Sequence, residues 1–300
     1  MQPAAELRVA VASAALLGES PVWQPRERVL YYCDIAGHRL QRLDPRSGEL
    51  VHWDFDTDVA SFAPRVDGSL LLAMRDGLWN FDPRSGARTR ICEPPYDTRV
   101  ERFNDGKCDP QGRFWVGTSY EPRTPAFATL HCWAEGRLTL RGDAMTVVNG
   151  LAWSPSGRTM YWSDTTTHTI FAADFDPASG AISARRVFAS FARKRPDEPL
   201  EAYGGRPDGA AVDVQGRYWV AMFEGQRLLC LSPEGEVVRD VALPVRCPTM
   251  PCFGGDDLKT LYITTARENR PAAELAEQPL AGCVLALDVD VPGLPVNFAA

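Results

Sequence analysis

A motif of two short strands joined by a tight turn recurs along this chain of 300 residues. One copy runs from Trp153 through Ser154-Pro155-Ser156-Gly157 into the alternating segment Thr159–Asp164. Proline fixes φ and glycine accepts a positive φ, so this tetrapeptide is typical of a tight turn. Five further copies are centred on Trp23-Gln24-Pro25, Val66-Asp67-Gly68, Asp109-Pro110-Gln111-Gly112, Asp213-Val214-Gln215-Gly216 and Gly254-Gly255-Asp256.

A second turn follows each copy, and it doubles the number of strands in each repeat. Examples are Asp44-Pro45-Arg46-Ser47-Gly48 and, in the last copy, Asp290-Val291-Pro292-Gly293. Six units of two hairpins, at intervals of about 40–50 residues, predict an all-β, six-bladed β-propeller. A sandwich or barrel shares the short strands but does not give six matching double hairpins.

The ends of the predicted ring and its one long insertion also follow from this pattern. We expect the apolar segment Leu7–Ala12 to pair with the last blade, because this closes the ring and removes an open edge. Residues 193–206 lengthen one interval and are predicted to form a loop. The whole chain, residues 1–300, is predicted to be a single propeller domain.

Composition restricts the partners and the location that we expect. The net charge of −7 argues against nucleic-acid binding, which needs a basic face. The eight cysteines form no Cys-x-x-Cys pair, so they are typical of free thiols in a reducing compartment. The apolar stretch from Val9 to Leu17 lacks the basic n-region of a signal peptide and is too short to span a bilayer. We therefore expect a cytoplasmic protein without a nucleic-acid or membrane partner.

Polar residues recur at one position, four residues before the start of the turn motif. Four of the six repeats carry a carboxylate or an amide there, namely Glu19, Asn104, Asn149 and Asp208. The other two repeats carry Ala60 and Thr249. The pseudo-rotation of a propeller brings equivalent positions to one end of the channel, where such oxygens suit Ca²⁺, Mg²⁺ or Mn²⁺. Asn-Gly and Asp-Gly are also the commonest turn dipeptides, so each one alone is explained by a turn. Glu19 precedes Ser-Pro and has no such explanation.

Two further charged residues are candidates for the same site. Arg102 stands two positions before Asn104, so on an extended strand it faces the same way. It is suited to gripping a substrate oxygen, although a surface ion pair is the ordinary role of a lone arginine. Glu121 follows the predicted inner hairpin of that blade, where a carboxylate is usually solvated. The chain has no Gly-x-Ser-x-Gly motif, and its four histidines show no catalytic-triad pattern.

Several of these segments together resemble the senescence marker protein (regucalcin)/gluconolactonase family. The resemblance runs through nearly the whole chain, in order, and is carried by Leu17–Trp23, Arg102–Lys107, Asp109–Thr118, Asn149–Pro155, Pro207–Gly209 and Cys252–Ala266. It implies a six-bladed propeller with one divalent metal in the channel, and hydrolysis of a sugar lactone. The lactones that it implies are of the xylono-, arabinono-, galactono- or gluconolactone type.

The resemblance also implies roles for individual residues. Carried over by position, the metal ligands are Glu19, Asn149 and Asp208, and the ion is calcium, zinc, magnesium, manganese or iron. The mechanism that we expect on chemical grounds is that the metal polarises the lactone carbonyl and Asp208 assists the attack of water. A carboxylate bound to a cation is a weak base, so a water on the metal is the alternative source of the nucleophile.

The positions that contact substrate in the family are also present. Arg102 and Asn104 match two of them, and Glu121 matches a further one more loosely. Tyr120 departs from the smaller residue often found at that position. Two other functions stay open on the same scaffold: a metal-dependent esterase or phosphotriesterase, which would prefer a more apolar pocket, and a calcium-binding propeller without catalysis. The lactone, the metal and the oligomeric state do not follow from the residues.

Overall fold

The fold is a closed ring of blades. The computed structural model describes residues 7–300 and contains six antiparallel sheets of four strands each. The first strand of each sheet contacts the first strands of both neighbouring sheets, and these contacts complete a circle. The predicted six-bladed β-propeller is therefore confirmed. The predicted single domain of residues 1–300 includes six residues outside the described range, and its extent stays a prediction.

The first three blades follow one another along the chain. Blade 1 consists of β2 (Gly18–Gln24), β3 (Val29–Asp34), β4 (Arg39–Asp44) and β5 (Glu49–Asp54). Blade 2 consists of β6 (Val59–Pro64), β7 (Leu70–Met74), β8 (Gly77–Phe81) and β9 (Arg88–Cys92). Blade 3 consists of β10 (Glu101–Cys108), β11 (Phe114–Tyr120), β12 (Leu130–Ala134) and β13 (Arg137–Leu140).

The next three blades repeat the arrangement, except that the last one takes a strand from the beginning of the chain. Blade 4 consists of β14 (Val148–Trp153), β15 (Thr159–Asp164), β16 (Thr169–Phe175) and β17 (Ile182–Ser190). Blade 5 consists of β18 (Arg206–Val212), β19 (Tyr218–Phe223), β20 (Arg227–Leu231) and β21 (Val237–Ala242). Blade 6 consists of β22 (Pro248–Gly254), β23 (Thr260–Thr265), β24 (Val284–Asp288) and β1 (Leu7–Val11).

Pairing of β1 with β24 closes the ring, as the sequence predicts for Leu7–Ala12. Leu7 lies opposite Leu287 in an antiparallel register. Because β1 supplies the outer strand of blade 6, residues 290–293 do not form the second hairpin that their turn residues suggest. That part of the sequence prediction is wrong, and these residues instead begin a C-terminal tail.

Burial decreases from the channel outward. The innermost strands β6 and β14 are buried at every position, whereas the outer strands β5 and β21 alternate between exposed and partly buried residues. Aromatic side chains fill the space between blades, as where Trp115 of blade 3 packs against Trp153 and Phe175 of blade 4. The inner parts of the blades therefore form a rigid frame around the channel.

A buried aspartate braces the inner hairpin of blade 3. Asp109 is fully buried, and its carboxylate accepts hydrogen bonds from Arg113 Nε at 2.6 Å and Trp115 Nε1 at 2.9 Å. Asp213 makes the same two kinds of contact in blade 5. The Asp-x-x-Gly-Arg-x-Trp pattern shared by these repeats is thus explained by the fold and not by the site.

The C-terminal tail, residues 291–300, crosses the channel axis. Gly293 pairs with Asp213 in blade 5, and Ala299 pairs with Arg65 in blade 2. Blades 2 and 5 are opposite each other in a ring of six, so the tail passes beneath the channel. With the C-terminal ends of the innermost strands, it lines an apolar cavity of about 260 Å³.

Three connecting segments surround the other end of the channel. They comprise residues 121–129, 191–205 and 266–283, and the last contains the short helix α1 (Ala272–Glu277). The loop predicted at 193–206 is confirmed, except that β18 already begins at Arg206. Within residues 7–300, no helix has the length and hydrophobicity to cross a membrane.

Candidate active site

An irregularity in every innermost strand turns side chains toward the channel. Each of these strands carries one more residue than its partner at the equivalent point, for example between Asn149 and Ala152 in β14. Such a bulge bends the strand and redirects a side chain out of the regular pleat. In four blades the polar residue found by sequence comparison lies in or directly beside the bulge: Glu19, Asn104, Asn149 and Asp208.

The N-terminal ends of the innermost strands enclose a cavity of about 720 Å³. This cavity is lined by all six residues that the sequence singles out, namely Glu19, Arg102, Asn104, Glu121, Asn149 and Asp208. The structure thus brings the predicted site residues together in one place. Their chemical roles stay predictions.

Asn149 and Asp208 lie inside strands, not in turns. The dipeptide Asn149-Gly150 belongs to β14, and Asp208 belongs to β18. Gly150 has a φ of 64°, and a side chain there would collide with the hydroxyl of Tyr218, which donates to Gly150 O at 2.7 Å. Glycine is therefore required for close approach between blades 4 and 5. The turn interpretation of these dipeptides is wrong.

A chain of hydrogen bonds through three blades fixes the amide of Asn149. Asn104 Nδ2 donates to Asn149 Oδ1 at 2.7 Å, and Asn149 Nδ2 donates to Thr165 Oγ1 at 2.8 Å. Thr165 in turn donates to the carbonyl oxygen of Pro207, the residue before Asp208, at 2.8 Å. The orientation of the amide is therefore set, with Oδ1 keeping a lone pair beyond the one that Asn104 uses.

Two buried carboxylates occupy the same cavity and repel each other. Glu19 and Asp208 are 7% and 6% exposed. Burial raises the pKa of Asp208 to about 7, with Asp105 acting in the same direction and Arg206 and Arg102 opposing it. Burial, followed by the charges of Asp208 and Asp105, raises the pKa of Glu19 well above its ordinary value.

The chemistry of these donors fits a hard divalent cation. Of residues 7–300, no three His, Cys, Asp or Glu side chains cluster as a metal site. The set present here is instead two carboxylates, Glu19 and Asp208, and the amide oxygen of Asn149. Ca²⁺, Mg²⁺ and Mn²⁺ prefer such oxygen ligands, and a cation between two buried, mutually repelling carboxylates favours their ionised forms.

Arg102 is a largely buried part of the site and not a surface ion pair. Its side chain is 12% exposed, and Nη1 donates to Asn104 Oδ1 at 2.7 Å. The nearest carboxylate, that of Asp58, lies 4.0 Å from its Nε. Arg102 therefore orients Asn104, and Asn104 orients Asn149.

Glu121 lies at the mouth of the cavity in a charged cluster. Its carboxylate accepts from Arg75 Nη2 at 2.5 Å, and the same arginine pairs with Asp58 at 2.8 Å. The side chain of Glu121 is 42% exposed. It is thus open to solvent, as expected for a carboxylate at a loop, yet held in place by Arg75.

Two further charged residues of the cavity stand at the same position of the repeat as Arg102. Asp58 and Arg206 also stand two residues before the bulge position of their strands, and both line the cavity. Their position on an extended strand predicts the same orientation toward the cavity as that of Arg102. Thr165 and Arg123 lie in connecting segments outside the repeated strands, where no periodic signal exists.

Fold and cavity together define a six-bladed propeller with a carboxylate- and arginine-lined site at one end of its channel. The profile described as SMP-30/Gluconolactonase/LRE-like region matches residues 17–267. The chain belongs to this family.

Individual relatives agree with that assignment over nearly the full chain. The chain is 44% identical over 288 residues to 6-deoxy-6-sulfogluconolactonase of Pseudomonas putida, covering 96% of each protein. It is 33% identical to regucalcin of Gallus gallus, covering 93% of each. Its fold matches the crystal structure of a calcium-binding protein, regucalcin from Agrobacterium tumefaciens, with a TM-score of 0.91 and 25% sequence identity. The match covers 99% of this chain and 98% of the regucalcin chain.

Proposed function

We propose that the protein is a divalent-metal-dependent lactonase that opens an aldonolactone to the aldonic acid. The observation that carries the proposal is the convergence of Glu19, Asn149 and Asp208 from three blades in the cavity that also holds Arg102 and Asn104. The three would hold one divalent ion, of calcium, zinc, magnesium, manganese or iron. When bound, such an ion supplies Lewis acidity to the carbonyl oxygen of the lactone.

Substrate orientation falls to Arg102, Asn104 and Glu121. The guanidinium of Arg102 keeps donors besides the one given to Asn104, and these are suited to hydroxyl oxygens of a sugar. The Nδ2 of Asn104 is already bonded to Val148 O and Asn149 Oδ1, so its contribution to a sugar is as an acceptor through Oδ1. Glu121, at the mouth, accepts from a substrate hydroxyl.

Proton transfer falls to Asp208. Water attacks the lactone carbonyl carbon, and the bond between that carbon and the ring oxygen breaks. The Asp208 carboxylate takes the proton that the water gives up and returns it to the ring oxygen as the alkoxide leaves. No proton is gained or lost at the site in this sequence.

The lining of the cavity favours a sugar over an aryl ester. Five arginines and six carboxylates line it, whereas an esterase or phosphotriesterase acting on apolar substrates needs an apolar pocket. The Pseudomonas putida relative is named for a lactone that carries a sulfonate on carbon 6, and we include that lactone among the candidates. All eight cysteines are free thiols, which supports the proposed cytoplasmic location.

The test is lactone hydrolysis by metal-stripped protein, followed as acid release. Xylono-, arabinono-, galactono- and gluconolactone and 6-deoxy-6-sulfogluconolactone are supplied in turn with Ca²⁺, Mg²⁺, Mn²⁺, Zn²⁺ or Fe²⁺. We expect turnover to return with a metal, to be lost in Asp208→Ala, and to persist in Asp143→Ala, a matched change at an exposed aspartate. Tight metal binding without turnover of any lactone would instead favour a calcium-binding propeller without catalysis.

A further inference from the structure

One positive charge in the cavity has no carboxylate partner. Five arginines line the cavity: Arg75, Arg102, Arg123, Arg206 and Arg270. Four of them have a carboxylate oxygen within 4.0 Å. Across residues 7–300, Arg123 has no such contact, and its guanidinium donates to the hydroxyl of Ser119 at 3.3 Å.

Two other arginines of the cavity, Arg102 and Arg206, lie within electrostatic range of Arg123. Although Arg123 is exposed to solvent, partial burial by the cavity wall, then the charges of Arg102 and Arg206, lower its pKa, while Glu121 and Asp208 act in the opposite direction. Glu121 is already bound to Arg75, and Asp208 is assigned above to a cation. Glu268 also lines the cavity, but it follows β23 of blade 6, which is opposite blade 3 in the ring.

The backbone holds Arg123 in place over the cavity. It has a φ of 65°, and its N–H donates to the carbonyl oxygen of Tyr120 at 3.1 Å, which closes a tight turn. Tyr120 packs edge-on against Phe127 at 5.2 Å, and Ala128 pairs with Met145 of the following connection. Both ends of the segment are therefore anchored, and Arg123 lies at the mouth, outside the buried carboxylates.

We propose that Arg123, together with Arg206, binds a tetrahedral oxyanion at the outer end of the substrate, so that the preferred lactone carries a sulfonate or a phosphate. This rests on the proposed lactonase function. A guanidinium presents two parallel N–H groups to such oxygens, and an anion there relieves the repulsion among the three neighbouring arginines. Arg206 already shares Glu224 with Arg270, so the charge available to the substrate comes chiefly from Arg123.

The first experiment compares kcat/KM for gluconolactone, 6-phosphogluconolactone and 6-deoxy-6-sulfogluconolactone. We expect the metal-loaded wild type to prefer one of the two anionic lactones by about tenfold or more, since hydrogen bonds between charged groups are about twice as strong as those between neutral groups. Arg123→Gln should reduce that ratio about tenfold, and Arg123→Lys should reduce it less, because it keeps the charge without the paired donors. Which anionic lactone is preferred distinguishes a sulfonate from a phosphate substrate. A wild-type preference for gluconolactone, or a ratio unchanged in Arg123→Gln, overturns the proposal.

The matched control is Arg99→Gln, at an exposed arginine that pairs with Asp97 in a turn outside the cavity. It should keep the wild-type ratio, and a loss equal to that of Arg123→Gln would mean that net charge alone sets the preference.

A second experiment separates failure of this inference from failure of the lactonase proposal. Binding of gluconate, 6-phosphogluconate and 6-deoxy-6-sulfogluconate to the metal-loaded protein is measured by calorimetry, without turnover. Tighter binding of an anionic acid that is lost in Arg123→Gln supports the oxyanion site even if no lactone is hydrolysed. Equal affinities in the wild type and in Arg123→Gln overturn the site even if lactones are hydrolysed.

Discussion

Replacing Asp208 by asparagine is expected to stabilise the metal-free protein at neutral and alkaline pH. In the folded protein burial raises the pKa of this carboxyl from 3.8 to about 7. Between those two pH values the folded state keeps a proton that the unfolded chain has already released. The folded state therefore binds more protons, and the free energy of unfolding falls as the pH rises from about 4 to about 7. Asparagine keeps the shape of the side chain and cannot ionise, so the variant escapes this loss.

The size of the effect follows from the two pKa values. Their difference is about 3, and each pKa unit corresponds to about 1.4 kcal/mol. The free energy of unfolding of Asp208→Asn, relative to the wild type, should therefore rise by up to about 4 kcal/mol between pH 4 and pH 8. Removing the charge at position 208 also removes a repulsion on Glu19, which acts in the same direction.

The assay is urea unfolding followed by tryptophan fluorescence, with a chelator present, at unit steps from pH 4 to pH 8. The difference between variant and wild type reports Asp208 together with its effect on Glu19, because groups away from the site such as His131, whose pKa burial lowers to about 4, cancel. Asp143→Asn, at an exposed carboxylate, should give a flat difference curve. A flat curve for Asp208→Asn as well would refute the argument that an unneutralised buried charge destabilises the metal-free site.

Three other substitutions test the frame around the site. Thr165→Val removes the acceptor of the Asn149 amide and should weaken Ca²⁺ or Mn²⁺ binding about tenfold in a metal titration. The control Thr166→Val, at an exposed threonine of the cavity, should leave the metal affinity within about twofold of the wild type. Gly150→Ala, at a positive φ and against a tyrosine hydroxyl, should lower the free energy of unfolding by about 2 kcal/mol or more in urea; an unchanged midpoint would contradict the packing described. Asp109→Ala leaves Arg113 and the indole N–H of Trp115 without their carboxylate acceptor, and it should lower the free energy of unfolding by about 3 kcal/mol in the same assay. A loss below about 1 kcal/mol would contradict the role of Asp109 in bracing the hairpin.

The ring and the convergence of polar residues could be predicted from the sequence because both depend on a repeat. Turn chemistry is local, and its recurrence fixes the number of blades. The pseudo-rotation then brings Glu19, Asn149 and Asp208 to one end of the channel without any knowledge of loops. Asp58 and Arg206 stand in the same register as Arg102, so the repeat also predicts that they line the cavity.

The remaining features depend on contacts that no repeat encodes. Thr165 reaches the site because a short 3-10 helix follows β15, and Arg123 because a tight turn follows β11. Residues 290–293 carry the residues of a turn, but their partner strand is supplied from the other end of the chain. The residues at 290–293 have the same turn chemistry as those of the other blades. Only the tertiary arrangement decides whether such residues form a hairpin.

The crossing of the C-terminal tail beneath the channel has a consequence for how the protein unfolds. In a ring whose blades touch only their neighbours, one blade could open while the others hold, as in a linear repeat protein. Here Ala299 is paired with blade 2 and Gly293 with blade 5, so opening either blade releases contacts on the opposite side of the ring. We therefore expect residues 7–300 to unfold in a single cooperative transition. Amide hydrogens in the innermost strands of opposite blades should accordingly lose their protection against exchange together, and not blade by blade.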